Sequence, residues 1–242
     1  MKISIITLFP KMISSFFEES IIKRATDKKL VEIEIINLRD FAIDDYGTVD
    51  DRPYGGGPGM VIRIEPVYNA VQSAISNFKF QISNQNPNLK KTNSKIILTS
   101  PRGSVFNQKK AREFSKLDHL TIIAGHYEGV DERVVNYIDE EISIGDFVLT
   151  GGEIPAAAIV DSVARLITGV LKKEEATAQE TFSIRGKNLL EYPQYTRPEE
   201  FKGLKVPRII MEGNHKKIEE WRLEEALKAT KKRRPELIDS KK

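Results

Sequence analysis

Leu120-Thr121-Ile122-Ile123-Ala124 is an aliphatic, β-branched run that breaks abruptly into Gly125-His126-Tyr127-Glu128-Gly129-Val130-Asp131-Glu132-Arg133. The run reads as a strand and its continuation as a loop, because glycine and charged residues end the apolar pattern at one point. Ile3–Phe9, Val31–Asn37 and Lys95–Ser100 share the strand composition, while Lys11–Lys29, Glu65–Ser76, Asn107–Leu117 and Ile154–Leu171 carry helical spacing. That alternation predicts an α/β fold with a parallel sheet, since parallel strands need long crossovers and both sheet faces must be covered. Ligands of such sheets sit beyond the strand ends, so the loops after the strands hold the interest.

The chain of 242 residues has room for one large domain or a domain with a smaller appendage. Its lack of cysteine excludes a disulfide scaffold, a thiolate zinc site, an iron–sulfur cluster and a cysteine nucleophile. His119, His126 and His215 have no metal-ligand spacing, so no metal ligands are assigned. The longest run without charged or strongly polar residues, Ile154–Val160, is far short of the roughly 20 residues a bilayer requires. Lys2 to Lys11 reads as a first strand and not as a signal peptide, which makes the cytoplasm the expected address and a membrane partner unexpected.

Charge divides the chain unevenly. Residues 201–242 hold 13 Lys/Arg against 7 Asp/Glu, whereas residues 1–200 hold 25 against 28. The cluster Lys231-Lys232-Arg233-Arg234 attracts phosphates, although a solvated helix end complementing its dipole explains it as well. Asn77–Asn93 is polar and reads as a surface insertion, and Lys172–Lys187 reads as a linker. Beyond it Asn214 is placed to cap a helix whose Ile218, Trp221, Leu223, Ala226 and Leu227 form an apolar side. The expected organisation is an α/β domain over 1–171, a linker over 172–187 and a small helical domain over 188–242.

Several glycine-bearing loops stand out. Pro53 to Gly59 packs four glycines and two prolines into seven residues, flanked by Asp50, Asp51 and Arg52. It matches neither a Walker loop nor a dinucleotide fingerprint, yet its glycines let main-chain N–H groups approach an anion or a flat base. Ser100–Gly103 and Gly125–Arg133 follow predicted strands, and a third loop, Ser143–Pro155, runs into a helix with Pro155 in its first turn. Each loop alone is a routine connection; three at neighbouring strand ends could wall a pocket for an adenine-bearing cofactor, floored by Ile144, Val148 and Leu149. Asp161 and Arg165 are four apart on a helix, which an ordinary ion pair explains unless Arg165 faces that pocket or a partner subunit.

Pro53-Tyr54-Gly55-Gly56-Gly57-Pro58-Gly59-Met60, Gly125–Arg133 and Ser143-Ile144-Gly145-Asp146-Phe147-Val148-Leu149-Thr150-Gly151-Gly152-Glu153 together resemble the bacterial tRNA (guanine-N1)-methyltransferase family, TrmD. Tyr195-Thr196-Arg197-Pro198, Trp221-Arg222 and Arg233-Arg234-Pro235-Glu236 extend the resemblance, in order, over nearly the whole chain. It implies a homodimer with a trefoil-knotted, SPOUT-type α/β fold, S-adenosylmethionine as methyl donor, and tRNA methylated at the guanine on the 3′ side of the anticodon. Carried over by position, the donor site is Gly125 with Ile144, Gly145, Asp146, Phe147, Val148 and Leu149, helped by Ser100, Pro101, Tyr127, Glu128, Gly129, Gly151 and Gly152. Asp50 and Gly59 help place the guanine, and Arg165 serves catalysis.

The family's usual general base is an aspartate preceding Ser-Phe. Here Glu180, Thr181 and Phe182 stand at that place, so the carboxylate is kept with one more methylene of reach. Phe147 stands where the family commonly has tyrosine, which keeps the ring and removes the hydroxyl. Magnesium dependence is associated with the family, but the sequence shows no clear metal cage. A noncatalytic RNA-binding module, or a methyltransferase of the same fold acting on ribosomal RNA or a ribose hydroxyl, are the alternative readings.

Overall fold

The computed structural model describes residues 1–85, 92–172, 177 and 179–239. Parts of the polar stretch and of the expected linker, residues 86–91, 173–176 and 178, lie outside them. The chain divides into two compact units, Met1–Leu171 and Lys172–Lys242.

The first unit runs β1 (Lys2–Thr7), α1 (Pro10–Phe17), α2 (Ser20–Asp27), β2 (Glu32–Asn37), β3 (Asp50–Asp51), β4 (Val61–Ile62), α3 (Ile64–Gln85), β5 (Ser94–Val105), α4 (Gln108–Phe114), β6 (His119–Ala124), β7 (Glu140–Ser143) and α5 (Glu153–Ala164). Five strands form one sheet in the order β2-β1-β6-β5-β7, every pairing parallel. Alternation along each strand decides which layer its side chains join. Ile3, Ile5, Leu120, Ile122 and Ile97 pack with Ile13, Phe17 and Ile22 of α1 and α2, Phe114 of α4 and Val160 and Val163 of α5. Ile6, Ile123 and Leu98 point to the other face, where Val67, Ala70 and Val71 of α3 cover them.

Several expected elements change length for local reasons. The single helix expected over Lys11–Lys29 divides at Glu18 and Glu19, with Ser20 at φ 57°. Helix α3 continues well beyond Ser76 into the supposed surface insertion, because Phe78 extends the apolar stripe of Val67, Val71 and Ala74 and is itself buried. β5 passes through Ser100-Pro101-Arg102-Gly103 by shifting register, so that Thr99 and Ser104 both pair with Ile142. Gly103 lies directly on the β7 main chain at Glu141, where a Cβ would collide. β7 escapes sequence reading because it opens on two glutamates; Glu140 is neutralised by Lys110 at 2.6 Å and Lys95 at 3.1 Å.

At the amino ends of the strands lies a buried polar seam. Lys2 Nζ meets Glu34 at 2.9 Å, Glu32 at 3.3 Å and Gln81 at 3.0 Å. Ser4 Oγ lies 3.0 Å from His119 Nε2, and the His119 ring packs 4.4 Å from that of Phe78. Burial, aided by the Lys2 cation, pushes the His119 imidazole down to about 4.

The second unit contains β8 (Glu200–Phe201) paired antiparallel with β9 (Leu204–Lys205), α6 (His215–Arg233) and α7 (Glu236–Asp239). Asn214 caps α6, its side chain accepting from Lys217 N at 3.2 Å. Ile184, Leu189 and Ala226 form its small core, with Tyr192, Leu223 and Leu227 against them.

His119 makes the fold acid-sensitive in a defined window. Neutral in the native state down to about pH 4 but protonated near 6.5 when unfolded, it contributes fully above pH 6.5 and progressively less as pH falls toward 4. The loss is about 3 kcal/mol across that window. In urea titrations, His119→Asn is expected to show a shallower fall of unfolding free energy between pH 6.5 and 4.5 than the wild type; equal slopes would count against it.

Candidate active site

One cleft of about 1240 Å³ opens in the first unit, where β6, β7 and the irregular part of β5 deliver their loops. Its walls are built by main-chain bonds between loops. Gly152 N donates to Gly125 O at 2.6 Å, and His126 and Gly151 form an isolated bridge. This approach demands glycine: a Cβ on Gly152 would meet Thr99 Oγ1, Gly125 N at 2.8 Å and the Ala124 Cα at 2.9 Å. On the other side the proline-glycine segment is sewn to the same loop, Glu128 N donating to Met60 O at 3.1 Å, Ile62 N to Gly129 O at 2.9 Å and Asp131 N to Ile62 O at 2.9 Å.

The loop after β7 turns at Gly145, φ 147°, held by Ser143 Oγ, which accepts from Gly145 N at 3.1 Å. Beyond it Phe147, Val148 and Leu149 are exposed, Val148 at 89%. Tyr127 is also exposed and sits in the left-handed region at φ 57°. At the rim, Arg133 grips Asp131 through two nitrogens, at 2.8 and 2.6 Å, and this hydrogen bonding holds the Asp131 carboxyl below its ordinary range. Arg102 donates to Glu132 at 2.8 Å, which raises the guanidinium's proton affinity.

Ser100, Pro101, Gly125, Tyr127, Glu128, Gly129, Ile144, Gly145, Phe147, Val148, Leu149, Gly151 and Gly152 all line the cleft. Asp146 is exposed and outside the lining. Asp50 pairs with Ile62 across the β3–β4 ribbon, next to the lining residue Asp51, and Gly59 is pressed against the Glu128 side chain. Arg165 caps the end of α5 and is not among the lining residues, and Glu180 belongs to the second unit. Arg63, Glu65, Leu98 and Thr99 line the cleft as well, though sequence reading misses them. Thr99 interrupts the aliphatic run Ile96–Leu98 just before Ser100, which is a usable signal; Arg63 and Glu65 offer none.

Among the described residues no group of three or more His, Asp or Glu could hold a metal ion, and no helix is long and apolar enough to cross a membrane. The cleft's combination of main-chain donors and acceptors with an aliphatic and aromatic rim suits a nucleoside-sized ligand with polar edges and flat faces.

A family model described as tRNA (Guanine-1)-methyltransferase TrmD matches residues 1–240. The chain belongs to that family. A Dictyoglomus turgidum protein named tRNA (guanine-N(1)-)-methyltransferase is 52% identical over 239 residues, covering 99% of this chain and 90% of its own length. Proteins of the same name from Fusobacterium nucleatum and Clostridioides difficile are 50% and 47% identical, covering 100% and 98% of this chain and 92% and 97% of their own lengths. As a member of the TrmD family the chain is an enzyme, a tRNA (guanine-N1)-methyltransferase, and its cleft is where that activity is to be sought.

The close approach of Gly152 is testable by its contrast with Gly125, whose added Cβ would meet only ordinary contacts, the nearest at 3.5 Å. Gly152→Ala is expected to lower the melting temperature by roughly 2–12 °C, from overpacking of about 1–3 kcal/mol, and Gly125→Ala by much less. Differential scanning calorimetry decides between this and an indifferent loop.

Proposed function

We propose that the enzyme transfers a methyl group from S-adenosylmethionine to N1 of guanosine-37, the nucleotide 3′ to the anticodon of tRNA. The reading is carried by one observation: a chain matched by the family over residues 1–240 also brings its glycine-bearing loops into a single cleft. S-adenosylmethionine, when bound, supplies a methyl group activated by a sulfonium centre. The cleft fits that group, with volume for a nucleoside, main chain free of Cβ atoms at Gly151 and Gly152, and apolar side chains at Ile144, Phe147, Val148 and Leu149. Gly125, Gly145, Tyr127, Glu128, Gly129, Ser100 and Pro101 complete that donor site, with Asp146 at its edge.

The chain's own groups supply the acid–base work. Guanine N1 carries a proton at neutral pH, so its lone pair becomes available only as a base removes that proton. In this reading the Glu180 carboxylate accepts it. Negative charge then accumulates on guanine O6, where the Arg165 guanidinium stabilises it. Asp50 and Gly59 help position the base. Arg165 lies off the cleft of its own chain, which agrees with a homodimer in which it acts across the subunit interface. Met12 and Phe16 of α1 and Ile154 of α5 are exposed apolar side chains that a second copy would cover.

The trefoil knot is part of the same proposal, supported by the register shift of β5 against β7 and the seating of Gly103 on the β7 main chain. The second unit, with the exposed Lys231, Lys232 and Arg233 at the end of α6, grips tRNA phosphates. The cytoplasm, where tRNA is modified, is its proposed location. The described residues form no cage for magnesium, and no step is assigned to it.

Labelled methyl transfer to a guanine-bearing tRNA transcript, with mapping of the modified atom, tests the reading; a transcript with adenine at the target should remain unlabelled. Glu180→Gln is expected to slow transfer by about 10²-fold or more while donor affinity stays near wild type. Arg165→Ala should slow single-turnover transfer by about 10²–10³-fold with a smaller effect on tRNA affinity. Loss of affinity alone would remove it from the chemistry. For Lys232→Ala, the slope of log affinity against log salt should become shallower by about 0.7–0.9, as expected when one phosphate fewer is neutralised.

A further inference from the structure

Behind the cleft wall a carboxylate is buried with half its hydrogen-bonding capacity unused. Glu153, the first residue of α5, is completely buried. Its Oε1 accepts from Thr7 Oγ1 at 2.8 Å, and Thr7 in turn ends β1. Its Oε2 faces His126 Nδ1 at 3.6 Å, and neither atom has a hydrogen-bond partner among the described residues. The pair is too far apart to hydrogen-bond and too close to admit a water between them. A Cβ on Gly151 would strike both atoms, so glycine at that position is what lets them face each other.

The imidazole is held in orientation as well. Its ring lies 4.6 Å from that of Phe9 and 5.0 Å, edge to face, from that of Tyr127. His126 O accepts from Gly129 N at 3.1 Å, so the placement of this residue sets the turn through Tyr127 and Glu128. Leaving a buried carboxylate oxygen and a ring nitrogen unsatisfied costs the desolvation of both, whereas a movement of roughly half an ångström joins them.

We propose that Glu153 is a positioning residue for the donor site: with the cleft filled, its Oε2 accepts the Nδ1 hydrogen of His126. That bond locks residues 125–129 against residues 150–152 and ties both to β1 through Thr7. Because the locked state is the ligand-binding state, the bond is read out as donor affinity. This inference rests on the donor-site reading above, and the experiment separates the two.

The test uses full-length enzyme, calorimetric titration with S-adenosylmethionine, and donor KM and kcat with a guanine-bearing transcript. His126→Phe keeps the ring between Phe9 and Tyr127 and removes Nδ1. His126→Asn places an amide nitrogen close to where Nδ1 stands. The phenylalanine variant is expected to raise donor Kd and KM about tenfold, with a smaller fall in kcat at saturating donor. The asparagine variant should recover most of that loss, and Glu153→Gln combined with His126→Phe should be scarcely worse than His126→Phe alone. Wild-type donor affinity in His126→Phe, equal impairment of the two His126 variants, or additive effects in the double variant would each overturn the proposal. Should Glu153→Gln fail to fold, the two His126 variants decide the matter by themselves. Failure of the wild type to bind the donor would instead remove the functional reading on which the inference stands.

Discussion

The bond from Gly152 N to Gly125 O, 2.6 Å long, is the constraint on which the cleft depends. It joins the loop that leaves β6 to the loop that enters α5, and only a residue without a side chain permits the approach. The consequences spread in both directions. Toward the core, Thr99 Oγ1 donates to Ile123 O at 3.2 Å, tying β5 to β6 beneath the contact. Toward the cleft, Gly151 is brought onto His126, and the exposed turn through Phe147 and Val148 is carried out over the opening. That turn leaves Phe147, Val148 and Leu149 exposed at the lining of the cleft.

The two ends of the sheet use polar groups differently. At the amino ends, Lys2, Ser4, His119 and Glu34 satisfy one another beside α3. At the carboxyl ends, polar groups remain open: main-chain atoms of three loops, the Glu128 side chain and the Arg133–Asp131 pair at the rim. Satisfied polarity stabilises the fold at one end, while polarity left available for recognition marks the other.

The α/β class, the parallel sheet and most strand positions were legible because buried parallel strands are unbroken β-branched runs, as at Ile3–Ile6 and Leu120–Ile123. β7 was hidden because its solubility in the core depends on lysines from α4 and β5, a tertiary effect with no local pattern. The continuation of α3 was hidden differently: Phe78 extends a clear stripe, but the surrounding Asn and Lys residues mask it. In the site, glycines were the legible part, since their spacing reflects close approaches that no other residue allows. Arg63 and Glu65 reach the cleft directly after the β3–β4 ribbon, whose two-residue strands are too short to be seen by periodicity. Resemblance supplied the roles proposed for Glu180 and Arg165; composition and spacing would have left both as ordinary charges.

In the proposed reading, the two compact units divide the chemistry of methyl transfer. A cleft that is to hold a methyl donor needs rigid walls, and the first unit offers them on a five-stranded sheet with glycines at the points of closest approach. A base for guanine N1 must avoid reacting before the correct nucleotide is present, which is better achieved by a carboxylate outside the cleft wall than by one built into it. Glu180, the base proposed, belongs to the second unit, and its extra methylene relative to aspartate would lengthen its reach. In that reading the wall would hold the donor and the second unit would bring the base, so that methyl transfer requires both partners of the reaction to be held at once.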